Sequence, residues 1–323
     1  MDTILNVGTL PVTSFGAGMA LAALAALLVS GAWCAYRRVS YGAWIRMTVL
    51  ALPLMLVMSR LLYVVGSLNY YIYTVADLSK MLLFWDGGAS VIGALLGLII
   101  AAAITEKWQK LPSGTLLDAV GFGAPIGIMV ERLFEEGTQL GLGQTIGTGW
   151  MADHPFFAMD DGYGYIVHAV FRYEAVAAAV VFAVVLVWMV IRRGNVTVNG
   201  DLLLVMLSLF GALQIILESF RNDGHMLLGF VRLNQVVSIV FPVVALTIWT
   251  ARAHRGEHGF DKRLLLHWLM AAAGVAVGIV MEFKVDSSDN VLVVYGIMGA
   301  AIALVVLAGL LTRRYAYKKH PAA

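Results

Sequence analysis

The sequence predicts an all-α protein that crosses a membrane several times, and its composition and its apolar runs carry this prediction. Of the 323 residues, 60% are hydrophobic and only 13% are charged, whereas a soluble domain carries about 25% charged residues. One globular core cannot hide that much apolar surface. Several apolar runs approach the roughly 20 residues with which a helix spans a bilayer, and the alternating pattern of a membrane β-barrel is missing from the sequence.

Nine apolar runs predict nine membrane-spanning helices. They lie near residues 14–35, 43–65, 88–105, 114–131, 174–191, 201–220, 228–250, 264–281 and 291–312. No Lys or Arg precedes the first run, which is the wrong flank for a cleaved signal peptide, so we expect a retained helix. The fourth run contains Asp118, Pro125 and several glycines. This pattern predicts a helix that is broken beside a cavity, where irregular backbone is tolerated within a membrane.

The basic residues predict the orientation of the helices. With the N-terminus outside, fifteen of the 22 Lys and Arg residues fall in inner connections or the C-terminal tail, as the positive-inside rule requires. We therefore expect the N-terminus outside and the C-terminus in the cytoplasm. The net charge of only +2 argues against a nucleic-acid partner, and the single cysteine, Cys34, excludes an internal disulfide and a cysteine-rich metal site.

The remaining charged residues predict a polar site at the outer face. Near the outer ends of the helices fall Arg60, Arg132, Arg172, Arg221 and Arg232, together with Glu131, Glu135, Glu136, Glu174 and Glu218. Ionisable groups at membrane depth usually face a cavity or one another, and clustered arginines suit the phosphate of a lipid head group. The alternative is that these side chains extend to the membrane interface or form structural ion pairs.

The sixth run carries a polar stripe. Phe210, Gln214, Glu218 and Arg221 follow one another at spacings of four, four and three residues. Such spacings place side chains on one face of a helix. The stripe is therefore predicted to be one wall of a polar cavity, in which Glu218 orients Arg221 or an arginine of another helix.

The segment WDGGASVIGALLG, residues 85–97, opens the third run with several glycines. Asp86 is predicted to cap the helix, while Gly87 and Gly88 permit a close approach of the backbone. Gly93 and Gly97 form a G-x-x-x-G pattern that favours tight helix packing in membranes.

The outer connection from about residue 132 to 172 is long and has no apolar run. Such a length predicts a lid or a binding loop. His154, Asp160 and Asp161 could hold a metal ion in principle, but a solvated loop is the favoured interpretation. No metal and no other cofactor are predicted.

Several of these segments resemble the prolipoprotein diacylglyceryl transferase family, in the order in which that family has them, over roughly residues 15–250. The likeness is carried by MSRLLYVV at 58–65, WDGGASVIGALLG at 85–97, Arg132 with Asp118 fourteen residues before it, HAVFRYE at 168–174, ILESFRNDG at 216–224 and LGFVRLNQVVSI at 228–239. The resemblance implies a seven-helix transferase-like core at 1–250, with the outer loop at about 132–172. A cytoplasmic loop at 251–263 and two additional helices with a basic tail at 264–323 would follow.

The resemblance also implies an activity and a location. The family transfers diacylglyceryl from phosphatidylglycerol, an anionic phospholipid, to the cysteine thiol of a lipoprotein signal peptide, and it uses no cofactor. Membrane lipid and lipoprotein signal peptides are the partners it implies. The chain would then be a multi-pass protein of the bacterial cytoplasmic (inner) membrane, with its site open to the outside.

The resemblance assigns roles to particular residues. The catalytic candidates are Arg132, which would hold the departing phosphate, and His168, Glu218 and Glu135. The group that would take the thiol proton is left open between His168, Glu135, Glu136 and Glu218. The candidates for binding the lipid and its phosphate are Arg60, Arg132, Arg221, Gln214, Gly143 and Glu174. The structural candidates are Asp86, Gly87, Gly88 and Asp118.

Three departures from the family pattern leave two functions open. The family histidine falls on Ile92, an essential arginine falls on Gln214, and a motif glutamate falls on Leu140. The first function is a divergent transferase, in which an activated thiol attacks and a stabilised phosphate departs. The second is a catalytically degenerate member that binds lipid or lipopeptide. A small-molecule transporter is a weaker third, because the sequence lacks a pair of repeats.

Overall fold

The computed structural model describes residues 3–7, 10–75, 77–84, 87–138, 140–191, 200–223, 226–228, 231–255, 261–285, 287–288 and 290–319. Its helices are α1 (Ser14–Tyr36), α2 (Tyr41–Gly66), α3 (Val91–Gln109), α4 (Thr115–Leu133), α5 (Trp150–Asp153), α6 (Val170–Ile191), α7 (Asp201–Phe220), α8 (Leu233–Ala253), α9 (Lys262–Val285) and α10 (Val291–Lys319). Its strands are β1 (Thr3–Val7), β2 (Leu10–Thr13), β3 (Leu142–Thr145), β4 (Ala158–Asp160), β5 (Ile166–Ala169), β6 (Leu227–Leu228) and β7 (Val231–Arg232).

Each predicted span coincides with a long helix, and α7 has the predicted bounds. Eight of the described helices are long and apolar enough to cross a membrane, so the chain is a multi-pass helical membrane protein. The helix α4 is outside this set of eight and carries Asp118, Glu131 and Arg132. It packs against α1, α3, α6 and α7, which places it inside the bundle.

The prediction that α4 is broken was wrong. The helix runs without interruption from Thr115 to Leu133, with Pro125 inside it. Its glycines serve close packing instead. A methyl group at Gly123 would clash with the backbone of α1 at Ala26, and one at Gly121 would meet the backbone of α7 at Leu203.

The start of α3 differs from the expectation, while its packing agrees with it. Ser90 is the capping residue, and its hydroxyl accepts a hydrogen bond from the backbone N–H of Gly93 at 3.2 Å. Asp86, which was expected to cap, lies outside the described residues. A Cβ at Gly93 or Gly97 would overlap the backbone of α2, so the tight packing predicted from the G-x-x-x-G pattern is confirmed.

The long connection between α4 and α6, which is predicted to lie outside the membrane, contains a small sheet that we call the outer sheet. Strands β3, β5 and β4 form an antiparallel sheet in that order. Asn222 donates its backbone N–H to Leu142 O at 2.8 Å, and Gly143 pairs with Arg221 in a β-bridge. The sheet is thereby joined to the end of α7, where the polar stripe of that helix terminates.

The two C-terminal helices are integrated into the bundle. The helix α10 packs on α9, α8 and α7, whereas α9 touches α8 only sparingly. At the opposite end from the outer sheet, Asp201 of α7 accepts hydrogen bonds from Trp249 at 2.8 Å and from Arg313 at 2.5 Å. This buried contact ties α7, α8 and α10 together. The division of the chain at residue 250 stays a prediction, and the helices on its two sides pack on one another.

Candidate active site

Buried charged and polar side chains converge where the C-terminal ends of α4 and α7 meet the N-terminal end of α6, at the side predicted to be the outer face. Glu131 and Arg132 end α4, Glu135 follows it in a short 3-10 helix, Glu174 begins α6, Gln214 and Glu218 lie on α7, and Arg221 ends it. All seven side chains are buried. We call this set the outer cluster.

Arg132 has three carboxylate neighbours in the outer cluster. Its Nη1 donates to Glu135 Oε1 at 2.5 Å, and its Nε lies 3.1 Å from Glu174 Oε2 and 3.6 Å from Glu131 Oε2. A guanidinium with several anionic partners stays charged and keeps a fixed direction. The site therefore holds a preoriented positive group at the end of α4.

Glu174 joins the two arginines of the outer cluster. Its Oε2, which contacts Arg132, is also 3.5 Å from Arg221 Nη1. Its Oε1 accepts a hydrogen bond from Gln214 Nε2 at 2.6 Å, and Gln214 Nε2 lies 3.2 Å from Glu218 Oε2. Gln214, at which the resemblance places a family arginine, thus contacts the same carboxylate as Arg221.

Two residues complete the network: Asp223, which was not among the predicted site residues, and Arg232, which was predicted only as one of the charged residues of the polar site. Asp223 Oδ2 accepts from Arg221 Nη2 at 2.7 Å and from the backbone N–H of Gly141 at 2.8 Å. Arg232 donates through Nη2 to Arg221 O at 2.7 Å and lies 3.8 Å from Glu218 Oε1. The spacing of Asp223, two residues after Arg221, was the one signal in the sequence that could have indicated its role.

The network contains more carboxylates than guanidinium groups. The carboxylates are Glu131, Glu135, Glu174, Glu218 and Asp223, and the guanidinium groups belong to Arg132, Arg221 and Arg232. The excess of two acidic groups is costly when buried. Oε2 of Glu131 and Oε2 of Glu135 make no hydrogen bond to any described residue, so acceptor capacity remains in the site.

A cavity of about 10 Å³ borders these groups. Glu131, Arg132, Glu135 and Arg221 line it. Ile92, the position at which the resemblance places the family histidine, also lines it and is buried. The lining of the cavity thus combines charged side chains with the polar Ser90 and Asn234 and the apolar Ile92.

His168 lies in the outer sheet, on β5. Its Nδ1 is 3.0 Å from the hydroxyl of Tyr173, which in turn donates to Phe157 O at 2.9 Å. Burial lowers the pKa of His168 from its ordinary value of 6.5, so the imidazole is neutral at pH 7. Among the described residues its polar contact is with Tyr173 and not with the outer cluster. Gly143 separates it from the backbone of Arg221.

Arg60 occupies its donors with backbone carbonyls. Its Nε donates to Met81 O at 3.0 Å and its Nη2 to Lys80 O at 2.7 Å. Its Nη1 donates to Gly87 and Gly88, both of which have positive φ. In this structure Arg60 therefore holds the segment before α3, and phosphate binding by its side chain would require these bonds to break.

Two further predicted residues have backbone partners. Asp118 Oδ1 accepts from the backbone N–H groups of Leu202 at 2.8 Å and Leu203 at 3.3 Å, at the N-terminus of α7. A carboxylate at this end of a helix is favoured by the helix dipole. In the outer loop, Asp161 Oδ1 accepts from the backbone N–H groups of Tyr163 and Tyr165, so this side chain closes a turn.

Fold and site together define a polytopic membrane protein with a buried arginine–carboxylate network at one end of its helix bundle. Residues 2–251 match the family model of prolipoprotein diacylglyceryl transferase. The chain belongs to that family. The helices α9 and α10 lie beyond the matched residues.

Individual relatives carry the same name. The chain is 30% identical to the phosphatidylglycerol–prolipoprotein diacylglyceryl transferase of Limosilactobacillus reuteri over 212 residues, 64% of this chain and 74% of that protein. It is 27% identical to the protein of that name from Clostridium novyi over 205 residues, 62% of this chain and 76% of the relative. With the Geobacillus kaustophilus protein the identity is 25% over 256 residues, 78% of this chain and 92% of the relative.

Proposed function

We propose that this chain is a phosphatidylglycerol–prolipoprotein diacylglyceryl transferase of the bacterial cytoplasmic membrane, with its site at the outer face. The family membership and the relatives' names support the reaction. The observation that carries the proposal is the buried Arg132, which borders the small cavity and is joined through Glu174 to Arg221. Buried guanidinium groups of this kind are suited to a phosphate ester.

The reaction transfers a diacylglyceryl group between two heteroatoms. The thiol sulfur of the acceptor cysteine attacks the glyceryl carbon that bears the phosphate, so a C–S bond forms and the C–O bond to phosphate breaks. Glycerol phosphate leaves with the electron pair of that bond. Arg132 stabilises the charge on the departing phosphate, since preoriented donors are most effective where charge develops in a dry site.

The thiol proton must pass to a base, and Glu135 is our candidate. Its Oε1 is bound to Arg132, its Oε2 has no hydrogen-bond partner among the described residues, and the residue is among those that line the small cavity. A base has to lie within reach of the proton it takes. His168 fits this requirement less well, because Tyr173 engages its Nδ1 outside the outer cluster.

Arg221 compensates for the missing family arginine in this proposal. Gln214 and Arg221 contact the same carboxylate, that of Glu174. The family arginine falls on Gln214, seven residues before Arg221, so in this proposal Arg221 at the end of the same helix supplies the guanidinium on that side of the site. The positive charge near Arg132 is retained, although its direction differs.

The experiment that tests the proposal is a direct transfer assay. Purified protein is incubated with labelled phosphatidylglycerol and a peptide that carries a lipoprotein signal cysteine, and the peptide and the released glycerol phosphate are followed by mass spectrometry. We expect a thioether-linked diacylglyceryl peptide, and no product with the Cys→Ser peptide. Saturable lipid binding without any transfer would contradict the proposal and favour a lipid- or lipopeptide-binding protein.

A further inference from the structure

A large cavity lies between the transferase core and the two C-terminal helices. Its volume is about 550 Å³, which is within the range of small-molecule binding sites. The helices α7 and α8 form one side, and α9 and α10 form the other. Because α8 and α9 touch only sparingly, the cavity lies at the point where the added helices meet the core.

The lining changes from polar to apolar along α7, α8 and α9, while α10 contributes apolar residues. Arg221, Arg232 and Gln235 lie at the outer end of the cavity, near the outer sheet, with Glu282 of α9 as the acidic residue of this end. Val275 and Ile302 lie deeper, toward the middle of α9 and α10. Ile302 is eleven residues beyond the start of α10, which is about 16 Å along the helix axis. A ligand that fits this lining has a polar or anionic head and a long apolar tail.

The cavity is connected to the outer cluster through one residue. Arg221 lines both the large cavity and the small cavity beside Arg132. Its Nη1 contacts Glu174, which also contacts Arg132. A phosphate at the outer end of the large cavity would therefore lie next to the arginine pair that we assign to the reaction.

We propose that this cavity binds an anionic glycerophospholipid, with its phosphate near Arg221 and Arg232 and an acyl chain between α8 and the α9–α10 pair. As a donor site it rests on the transferase function proposed above. The helices beyond the family match would then supply the wall that holds the acyl chain. Selection among acyl chains would then depend on α9 and α10, which lie beyond the residues that the family model matches.

The test uses phosphatidylglycerol with a photoreactive diazirine in one acyl chain and the full-length protein in lipid nanodiscs. After irradiation, labelled peptides are mapped by mass spectrometry. We expect labels near the middle of α9 and on the facing part of α8, near Val275 and Ile239. Labelling should fall several-fold when the same diazirine is carried by phosphatidylcholine, which has no net charge. Labels confined to other helices, or equal labelling with both lipids, would overturn the proposal.

Two adjacent residues of α9 provide a matched pair of variants. Ile279 and Val280 are exposed to a similar extent, at 54% and 52%. Ile279 lines the cavity, whereas Val280 is not among its lining residues. We expect Ile279→Trp to reduce labelling of α9 at least five-fold and Val280→Trp to leave it within two-fold of the wild type. Equal effects of the two substitutions would contradict the assignment. Both variants are first compared with the wild type in thermal unfolding, so that a folding defect is recognised.

Labelling and transfer are measured separately, so the two proposals fail independently. Specific labelling of α9 without any transfer product would remove the transferase proposal and leave the lipid site. Transfer at the wild-type rate in Ile279→Trp, together with unchanged labelling, would remove the lipid site and leave the transferase.

Discussion

At the scale of single residues, the outer cluster depends on carboxylates that differ in how many partners they have. Glu174 contacts Arg132, Arg221 and Gln214. Glu131 is equally buried, but its one ion pair among the described residues is with Arg132 at 3.6 Å. Since acidic groups exceed guanidinium groups by two in this network, the two glutamates should respond differently to loss of charge.

The first prediction compares Glu174→Gln with Glu131→Gln. Removal of a well-paired buried charge costs about 3–5 kcal/mol, so Glu174→Gln should lower the free energy of unfolding by about 3 kcal/mol or more. Glu131→Gln should change it by less than about 1 kcal/mol, because a weakly paired excess charge is lost. Denaturant unfolding in mild detergent measures both. An equal loss in the two variants would contradict the contact pattern.

The second prediction concerns activity and His168. A general base contributes roughly 10²–10⁴-fold to a rate. Because the imidazole contacts Tyr173 rather than the outer cluster, His168→Asn should keep activity within about ten-fold of the wild type, whereas Glu135→Gln should lose at least about 100-fold. The transfer assay at saturating lipid measures both rates. A loss above 100-fold in His168→Asn, with normal folding, would return the role of base to the histidine.

The third prediction concerns pH and the same histidine. Burial lowers the pKa of His168 in the folded protein below 6.5, so the unfolded chain binds a proton more readily than the folded one. The stability contributed by this group is therefore present above pH 6.5 and is lost as the pH falls through and below that value. In thermal unfolding across this window, His168→Asn should lose less stability on acidification than the wild type. Identical slopes would show that the imidazole is not buried enough to matter.

At the scale of helices, close packing at glycines decides how α2, α3 and α4 fit together. The fourth prediction compares two glycine substitutions within helices. Gly93→Ala would push a methyl group into the backbone of α2, whereas the space around Gly296 in α10 is open. We expect Gly93→Ala to destabilise the protein by about 1–3 kcal/mol, as overpacking does, and Gly296→Ala to be neutral or stabilising by up to about 1 kcal/mol. Thermal unfolding measures both, and a neutral Gly93→Ala would contradict the helix pairing.

The helices could be predicted from the sequence, because apolar runs of spanning length are a local signal. The bounds of α7 were predicted to the residue. The break in α4 was predicted wrongly, because a proline inside a membrane helix is tolerated when neighbouring helices surround it. The residues of the site could be predicted as a group of charges at one face, but their partners could not. Glu174 joins two arginines, and Arg60 binds backbone carbonyls. Both arrangements result from tertiary contacts between segments that are distant in the sequence.

At the scale of the whole molecule, the proposed orientation places the outer sheet outside and the C-terminus in the cytoplasm. The fifth prediction follows from it. In a Cys34→Ser background, a cysteine that replaces the exposed Tyr163 of the outer loop should react with a membrane-impermeant maleimide in intact cells. A cysteine that replaces Trp108, exposed at the other end of α3, should react only after permeabilisation. The reverse pattern would overturn the orientation and with it the outward-facing site.

The most direct test of the central claim, that Arg132 holds the departing phosphate, is the transfer rate of Arg132→Gln. The matched control is Arg172→Gln, since Arg172 is paired with the exposed Glu136 and lies outside the outer cluster. We expect Arg132→Gln to lose at least about 100-fold in turnover, as removal of one charge-stabilising donor does, and Arg172→Gln to retain most of it. Normal turnover in a folded Arg132→Gln protein would contradict the assignment.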